Sequence, residues 1–322
     1  MGPKRDYYRR YYSFGRLRKL ALRAAYVDGR RTDLWQSLLS TFRLFEREGS
    51  VAPLGIAPLG GDLFGKPLEV HAHDLHGLKL DNKRLLDILS GLTLTRSEQG
   101  ALVAVNYNDL DVEELGSIYE GLLELHSVLD TSTGTPHFSF TAGSERKLTG
   151  SYYTRHDLVA QLIRTALLPV MEERLKGKRT KEEKEEALLS ITVLDPACGS
   201  GHFLLAAARK LSEALAQVRT GSENPSKREL IEARRDVISR CIHGVDKNPA
   251  AIELCRLALW LEAHTVGKPL TFLEHRIRPG DALVGVDKLE RLREGLPDGA
   301  FEPVTGDHKP TASACKKRNK KF

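Results

Sequence analysis

Residues 195–203 read Asp-Pro-Ala-Cys-Gly-Ser-Gly-His-Phe, and their flanks leave few folds open. Before them, Ile191-Thr192-Val193-Leu194 is a short apolar, partly β-branched run. After them, Phe203–Leu215 keeps the three-to-four spacing of a helix. The string is therefore a glycine loop between a strand and a helix. A second unit follows: Cys241-Ile242-His243-Gly244-Val245 reads as a strand, Asp246 ends it, and Asn248-Pro249 opens a helix over Ala250–Ala263. A third strand is expected at about Arg276–Arg278, ahead of Gly280-Asp281-Ala282-Leu283. Strands alternating with helices imply an α/β fold whose parallel sheet is covered on both faces.

Gly199 and Gly201 let a ligand approach the backbone at the carboxyl end of the first strand, where doubly wound folds bind their ligands. A dinucleotide is the obvious rival. It fits poorly, because the third glycine of GxGxxG falls at Leu204 and Asp195 would repel a pyrophosphate. An acid there suits a cationic ligand without phosphate, and S-adenosyl-L-methionine carries both an ammonium and a sulfonium. Asp246, ending the second strand, is placed to accept hydrogen bonds from two ribose hydroxyls. The gap of 51 residues from Asp195 exceeds the usual ~20, and the polar stretch Arg219 to Lys227 absorbs the difference. Asp281 follows the third strand, where a carboxylate can meet the donor's adenine amino group.

Upstream, Leu34, Trp35, Leu38, Leu39, Phe42 and Phe45 predict an amphipathic helix over Asp33–Arg47, capped by Thr32 or Asp33. Residues 49–68 are a Gly- and Pro-rich loop, and Leu115, Ile118, Tyr119, Leu122 and Leu123 mark a helix over Val112–Leu125. Thr, Ser and Gly around His137-Phe138-Ser139-Phe140 suit a hairpin near 131–148. The expected organisation is a helical region over 1–148, a ligand-binding domain over 149–285 and a polar, basic tail over 286–322. A helix over Asp157–Glu173 leads into a mixed-charge run, Arg174 to Glu186, read as a solvated linker or helix extension. His71, His73, His76 and Asp74 lack a second cluster that would complete a metal site, so they read as a surface loop and no metal is expected.

Four cysteines (Cys198, Cys241, Cys255, Cys315) without paired CxxC spacing imply reduced thiols rather than zinc or a disulfide scaffold. No apolar run is long enough to cross a bilayer and no secretory signal opens the chain, so a cytoplasmic location is expected. The net charge of +6 is uneven: residues 1–31 carry +8 and residues 316–322 carry +5, which leaves −7 between them. With Tyr7, Tyr8, Tyr11 and Tyr12 interleaved, the basic N-terminus reads either as a DNA-contacting segment or as a solvated helix face.

Taken in order, Thr149-Gly150-Ser151-Tyr152-Tyr153-Thr154, the 195–203 string, Gly244-Val245-Asp246-Lys247-Asn248-Pro249 and Gly280-Asp281-Ala282-Leu283 resemble the donor-site motifs of adenine-N6 DNA methyltransferases. The arrangement is similar to type I and fused type IIG restriction–modification and phage-defence enzymes. Asp111–Glu120 also looks like their helical region. The resemblance implies a partial Rossmann-like class I methyltransferase sheet preceded by a mainly helical N-terminal region. It also implies roles: Tyr153 and Thr154 at the methionine moiety, Asp195 at its amino group, Pro196, Ala197, Gly199 and Gly201 lining it, Asp246 at the ribose, and Asp281 with Ala282 at the adenine.

Two departures stand out. Arg155 replaces the proline common after the Tyr-Thr pair, and no [Asn/Asp/Ser]-Pro-Pro-aromatic string occurs. In the family that string grips the flipped target adenine. No residue here is therefore assigned a catalytic role. The expected state is an inactive donor-binding fragment, with DNA and either the missing C-terminal part or another subunit as partners. The alternative is a non-catalytic DNA-binding or assembly subunit. A nicotinamide-dependent oxidoreductase fits worst, for the reasons given for the loop.

Overall fold

A computed structural model describes residues 3–45, 54, 79–105, 114, 116, 118, 121, 125–132, 134, 136–142, 154–265, 273–284, 288, 290, 297–305 and 308–319. The chain forms two compact units, Met1–Gly280 and Asp281–Phe322. The first opens with helices α1 (Pro3–Tyr11), α2 (Phe14–Ala21), α3 (Asp33–Arg43) and α4 (Asn82–Thr93). Leu34, Trp35, Leu38 and Leu39, the spaced residues of α3, are buried in one cluster with Leu17, Leu85, Leu86 and Leu89. Buried Asn82 joins three segments. Its amide donates to the Asp28 carbonyl (3.1 Å) and Asp33 Oδ1 (2.9 Å), and its oxygen accepts from the Leu34 N–H (3.1 Å).

A short antiparallel pair follows, β1 (Leu94–Arg96) with β2 (Leu102–Ala104). Of the helix expected over 112–125, the described positions Glu114, Gly116, Ile118 and Gly121 are helical. Leu125 instead begins β3 (Leu125–Asp130), which pairs with β4 (His137–Ala142) in a hairpin that starts upstream of the expected 131–148. The histidines at 71, 73 and 76 and the loop at 49–68, Leu54 apart, lie outside the described residues.

Next come α5 (His156–Leu162), a π-helical turn (Ile163–Leu167), α6 (Leu168–Leu175) and α7 (Lys181–Leu189). Helix α7 corrects the linker reading of 174–186. Thr180 Oγ1 accepts the Glu183 N–H and Glu183 Oε2 accepts the Thr180 N–H, both at 3.1 Å, and this capping box starts a helix that buries Ala187, Leu188 and Leu189. The parallel sheet is built from β5 (Val193–Asp195), β6 (Ile242–Asp246) and β7 (Ile277–Pro279), in that order. Between β5 and β6 run α8 (His202–Thr220) and α9 (Lys227–Cys241); between β6 and β7 runs α10 (Pro249–Glu262). Gly221, at φ +68°, ends α8, and a second capping box, Ser226 with Glu229, starts α9 inside the stretch expected to be a polar insertion.

Strand register separates the sheet's two faces. Val193, Ile242, Gly244 and Ile277 share one face, and Leu194, His243, Val245 and Arg278 the other. Helices α8, α9 and α10 enclose the first face in a core holding Leu204, Leu211, Val237, Ile252 and Leu259 with Ile242 and Ile277. On the second face Leu194 is 61% exposed and Arg278 is exposed. Among the described residues the crossover helices lie on the Gly244 side, while the second face is half-buried at His243 and Val245 and exposed at Leu194 and Arg278, so the expected cover on both faces is incomplete there. Among the described residues no strand pairs with the outer edge of β5. The second unit contains a 3-10 turn (Asp298–Phe301) and helix α11 (Lys309–Asn319), joined by Lys316 Nζ to Asp298 Oδ2 at 3.6 Å. No described helix is long and apolar enough to cross a membrane.

Candidate functional site

The carboxyl ends of β5 and β6 carry two acids held by backbone N–H groups. Asp195 Oδ1 accepts the Ala197 N–H at 3.0 Å, which turns the chain through Pro196 and Ala197 out of β5. Asp246 Oδ2 accepts the Gly199 N–H and its Oδ1 the Asn248 N–H, each at 2.8 Å. The loop is clamped further by the Cys198 N–H on the Val245 carbonyl (2.9 Å) and by the Gly201 N–H on the Cys198 carbonyl (2.8 Å). Asp195 and Asp246 thus end neighbouring strands, near enough for their charges to interact, and each holds a backbone N–H of the 196–201 loop. Asn248 Oδ1 caps α10 through the Ala250 N–H at 3.0 Å, with Pro249 at the first helical position.

Gly199 (φ +52°) and Gly201 (φ +95°) take left-handed conformations, for which glycine carries no steric penalty. Gly201 has a second constraint, since a Cβ there would stand 2.7 Å from Cys255 Sγ and keep α8 from closing on α10. Gly244 matters likewise, although neither its strand nor the 244–249 string assigns it a role of its own. A Cβ on it would meet Leu204 Cδ1 at 2.8 Å and Cys198 Sγ at 3.0 Å. A glycine inside an apolar strand was the readable signal of that close approach. Cys198 and Cys255 are buried filler: the Cys198 contact first, then burial, push the Cys255 thiol well above its ordinary range, and it stays protonated.

Asp195 is electrostatically strained. Burial raises its carboxyl above the usual carboxylate range, the Ala197 N–H opposes that rise, and the nearby Asp246 charge adds to it. A cation beside Asp195 would favour its charged form and so oppose the rise. Among the described residues no group of three or more His, Cys, Asp or Glu is placed to hold a metal ion.

The remaining predicted residues fall as follows. Thr154 is half-buried, two residues before His156, whose ring meets that of His202 edge-on at 5.5 Å at the start of α8. Tyr153 lies outside the described residues. The Gly280 N–H donates to the Asp246 carbonyl at 2.9 Å. Asp281 and Ala282 open the second unit, where Asp281 Oδ1 accepts the Leu283 (3.0 Å) and Val284 (3.2 Å) N–H groups. Along the outer edge of β5 runs a groove of ≈ 450 Å³. It is lined by Leu162, Ala166 and Val170 on the helical side and by Val193, Leu194 and Asp195 on the strand.

Residues 171–279 match the family of MmeI DNA-methyltransferase domains. A type II restriction enzyme and methyltransferase of Methanocaldococcus jannaschii is 24% identical over 247 residues, 64% of this chain and 19% of that protein. The adenine-specific methyltransferase PglX of Streptomyces coelicolor is 38% identical over 73 residues, 23% of this chain and 6% of that protein. A solved structure of the type IIL restriction-modification enzyme MmeI in complex with DNA superposes with a TM-score of 0.47 at 17% identity, covering 78% of this chain and 30% of that one. The chain therefore spans about a fifth of the length of the first of these relatives. By these matches it carries a domain similar to the DNA methyltransferases of restriction–modification systems.

Proposed function

We propose that residues 149–285 are an S-adenosyl-L-methionine-binding domain of the Rossmann-like class I type, and that the chain is the donor half of an adenine-N6 DNA methyltransferase of the restriction–modification or phage-defence kind, acting in the cytoplasm. One observation carries the reading: Asp195 and Asp246 stand at the tips of adjacent parallel strands around a loop with two left-handed glycines. The residues fit the donor. Asp195, raised by burial and by its acidic neighbour, gains most from an ammonium. Each Asp246 oxygen accepts one backbone N–H, which fixes the carboxylate and leaves lone-pair capacity for two ribose hydroxyls. By the motifs they match, Pro196, Ala197, Gly199 and Gly201 are assigned to line the methionine moiety, with Tyr153 and Thr154 also assigned to it and Asp281 with Ala282 to the adenine. When bound, S-adenosyl-L-methionine supplies a methyl group on a positively charged sulfur.

The acceptor half, including the grip on the flipped adenine, is assigned to polypeptide beyond these residues, joined to the chain or separate. The outer edge of β5, with which no described strand pairs, and the exposed Leu194 beside it support that assignment. Calorimetry with S-adenosyl-L-methionine tests the donor site, with saturable one-to-one binding as the expected outcome. A folded sample that releases no heat of binding rejects it. With tritiated donor and DNA, the chain alone is expected to transfer nothing above background.

The reading of the chain as a DNA-binding or assembly subunit draws on α1 and α2. Tyr7 and Tyr11, about half exposed, lie 4.7 Å apart, with the Arg10 guanidinium 5.6 Å over the Tyr11 ring. That reading expects DNA binding without donor, weakening steeply with salt.

A further inference from the structure

Gly116 lies far upstream of the donor loop in sequence, yet it touches it. It is buried and helical, and a Cβ built on it would stand 2.5 Å from Ser200 Oγ and 3.1 Å from Ser200 Cβ. The hydroxyl can turn aside, but a Cβ 3.1 Å from Ser200 Cβ requires Ser200 to give by a few tenths of an ångström, so the bare Gly116 backbone rests on Ser200. The Ser200 neighbours Gly199 and Gly201 are fixed in left-handed conformations. The Gly199 N–H is engaged by Asp246 Oδ2 at 2.8 Å, and Gly201 abuts Cys255. Rotating the hydroxyl away clears Oγ but leaves Cβ in place. Gly121, also in a helical position of the same stretch, meets nothing within 4 Å of where its Cβ would be. Close approach therefore belongs to position 116 and is not shared by both described glycines of the stretch.

We propose that Gly116 is a positioning residue for the donor loop: its missing side chain seats an upstream helical segment against Ser200 and so keeps the Gly199 N–H on Asp246. The inference rests on the donor-site reading above and adds a contact from outside the strand-loop-helix units. A side chain at 116 displaces Ser200, and through Gly199 it loosens the carboxylate assigned to the ribose.

The test is a double-mutant cycle on the whole chain, read by calorimetry with S-adenosyl-L-methionine and by thermal melting without it. Gly116→Ala is expected to weaken donor binding about tenfold, a coupling of ordinary size for residues in contact. Gly121→Ala should stay within about twofold. Introduced into a Ser200→Gly background, Gly116→Ala should weaken binding by less than about threefold, because the atoms it strikes are gone. An equal loss in both backgrounds, or no loss in either, overturns the proposal. So does a Gly116→Ala chain that fails to fold and is not rescued by Ser200→Gly; rescue of folding supports it. If the unmutated chain binds no donor, the donor-site reading fails by itself and melting decides the contact. Recovery of the lost Tm by Ser200→Gly retains it, and equal loss in both backgrounds removes it.

Discussion

Asp195 and Asp246 differ by what their oxygens face, and the same substitution should move the fold in opposite directions. Asp195 accepts one described hydrogen bond, and burial with the Asp246 charge holds its carboxyl above the ordinary range. A carboxyl raised by folding favours the fold where it is protonated, and that contribution is lost as pH rises through the raised value. At neutral pH the ionised Asp195 therefore costs the donor-free chain stability. Asp195→Asn removes the charge and keeps an oxygen for the Ala197 N–H, so its donor-free Tm should exceed that of the parent at pH 7. The gap should close below about pH 4, where both chains are neutral at this position. Donor binding should fall at least about tenfold, since a charge-assisted hydrogen bond is lost. In the parent, donor affinity should decline as pH drops through the raised Asp195 value. Asp246 cannot accept the same change, because both its oxygens take backbone N–H groups and an asparagine turns a donor against one of them. Asp246→Asn should lower stability by about 1–3 kcal/mol. An Asp195→Asn chain less stable than its parent at pH 7 would count against the strain described here.

Helix α8 carries a left-handed glycine at each end, which separates backbone strain from packing. Gly221→Ala meets only the conformational penalty, because nothing lies within 4 Å of the added Cβ; about 1 kcal/mol is expected. Gly201→Ala adds the collision with Cys255 Sγ and should cost about 2–4 kcal/mol in urea unfolding. Equal losses at the two ends would show that α8 and α10 are not pressed together there. The elements nearest this loop were the legible ones in sequence: the three strands fall within two residues of their expected bounds, the first two because each is an apolar run stopped by a carboxylate, the third because Gly280-Asp281 follows it. Helices α4, α7 and α9 were not anticipated. Much of α7 and α9 is charged, so their apolar spacing is faint, and the readable signals were the Thr180-x-x-Glu183 and Ser226-x-x-Glu229 boxes. The exposure of Leu194 and Arg278 on one face of the sheet could not be read either, since periodicity does not tell which side a crossover helix takes. The Gly116–Ser200 contact joins residues distant in sequence, and no local pattern announces it.

At the scale of the whole molecule, Leu194 stands out to water on a strand with whose outer edge no described strand pairs. Leu194 is 61% exposed, Leu162, which lines the same groove, is 47% exposed, and Leu158 on the same helix as Leu162 is also exposed. Apolar surface of this kind beside free strand N–H and C=O groups marks a place where another polypeptide settles, or where copies of the chain associate unproductively. Leu194→Arg distinguishes a surface made for covering from one that is merely tolerated. Because Leu194 supports little of the core, the substitution should change stability by no more than about 0.5 kcal/mol, whereas Leu188→Arg, at a fully buried position, should abolish folding. Sedimentation at rising concentration should show less self-association for the arginine variant. Co-expression with a polypeptide carrying the acceptor motif should restore methyl transfer to the parent chain and not to the variant. If the variant folds, stays monomeric and is still complemented to full activity, the β5 edge and the exposed Leu194 beside it are not where the acceptor half docks.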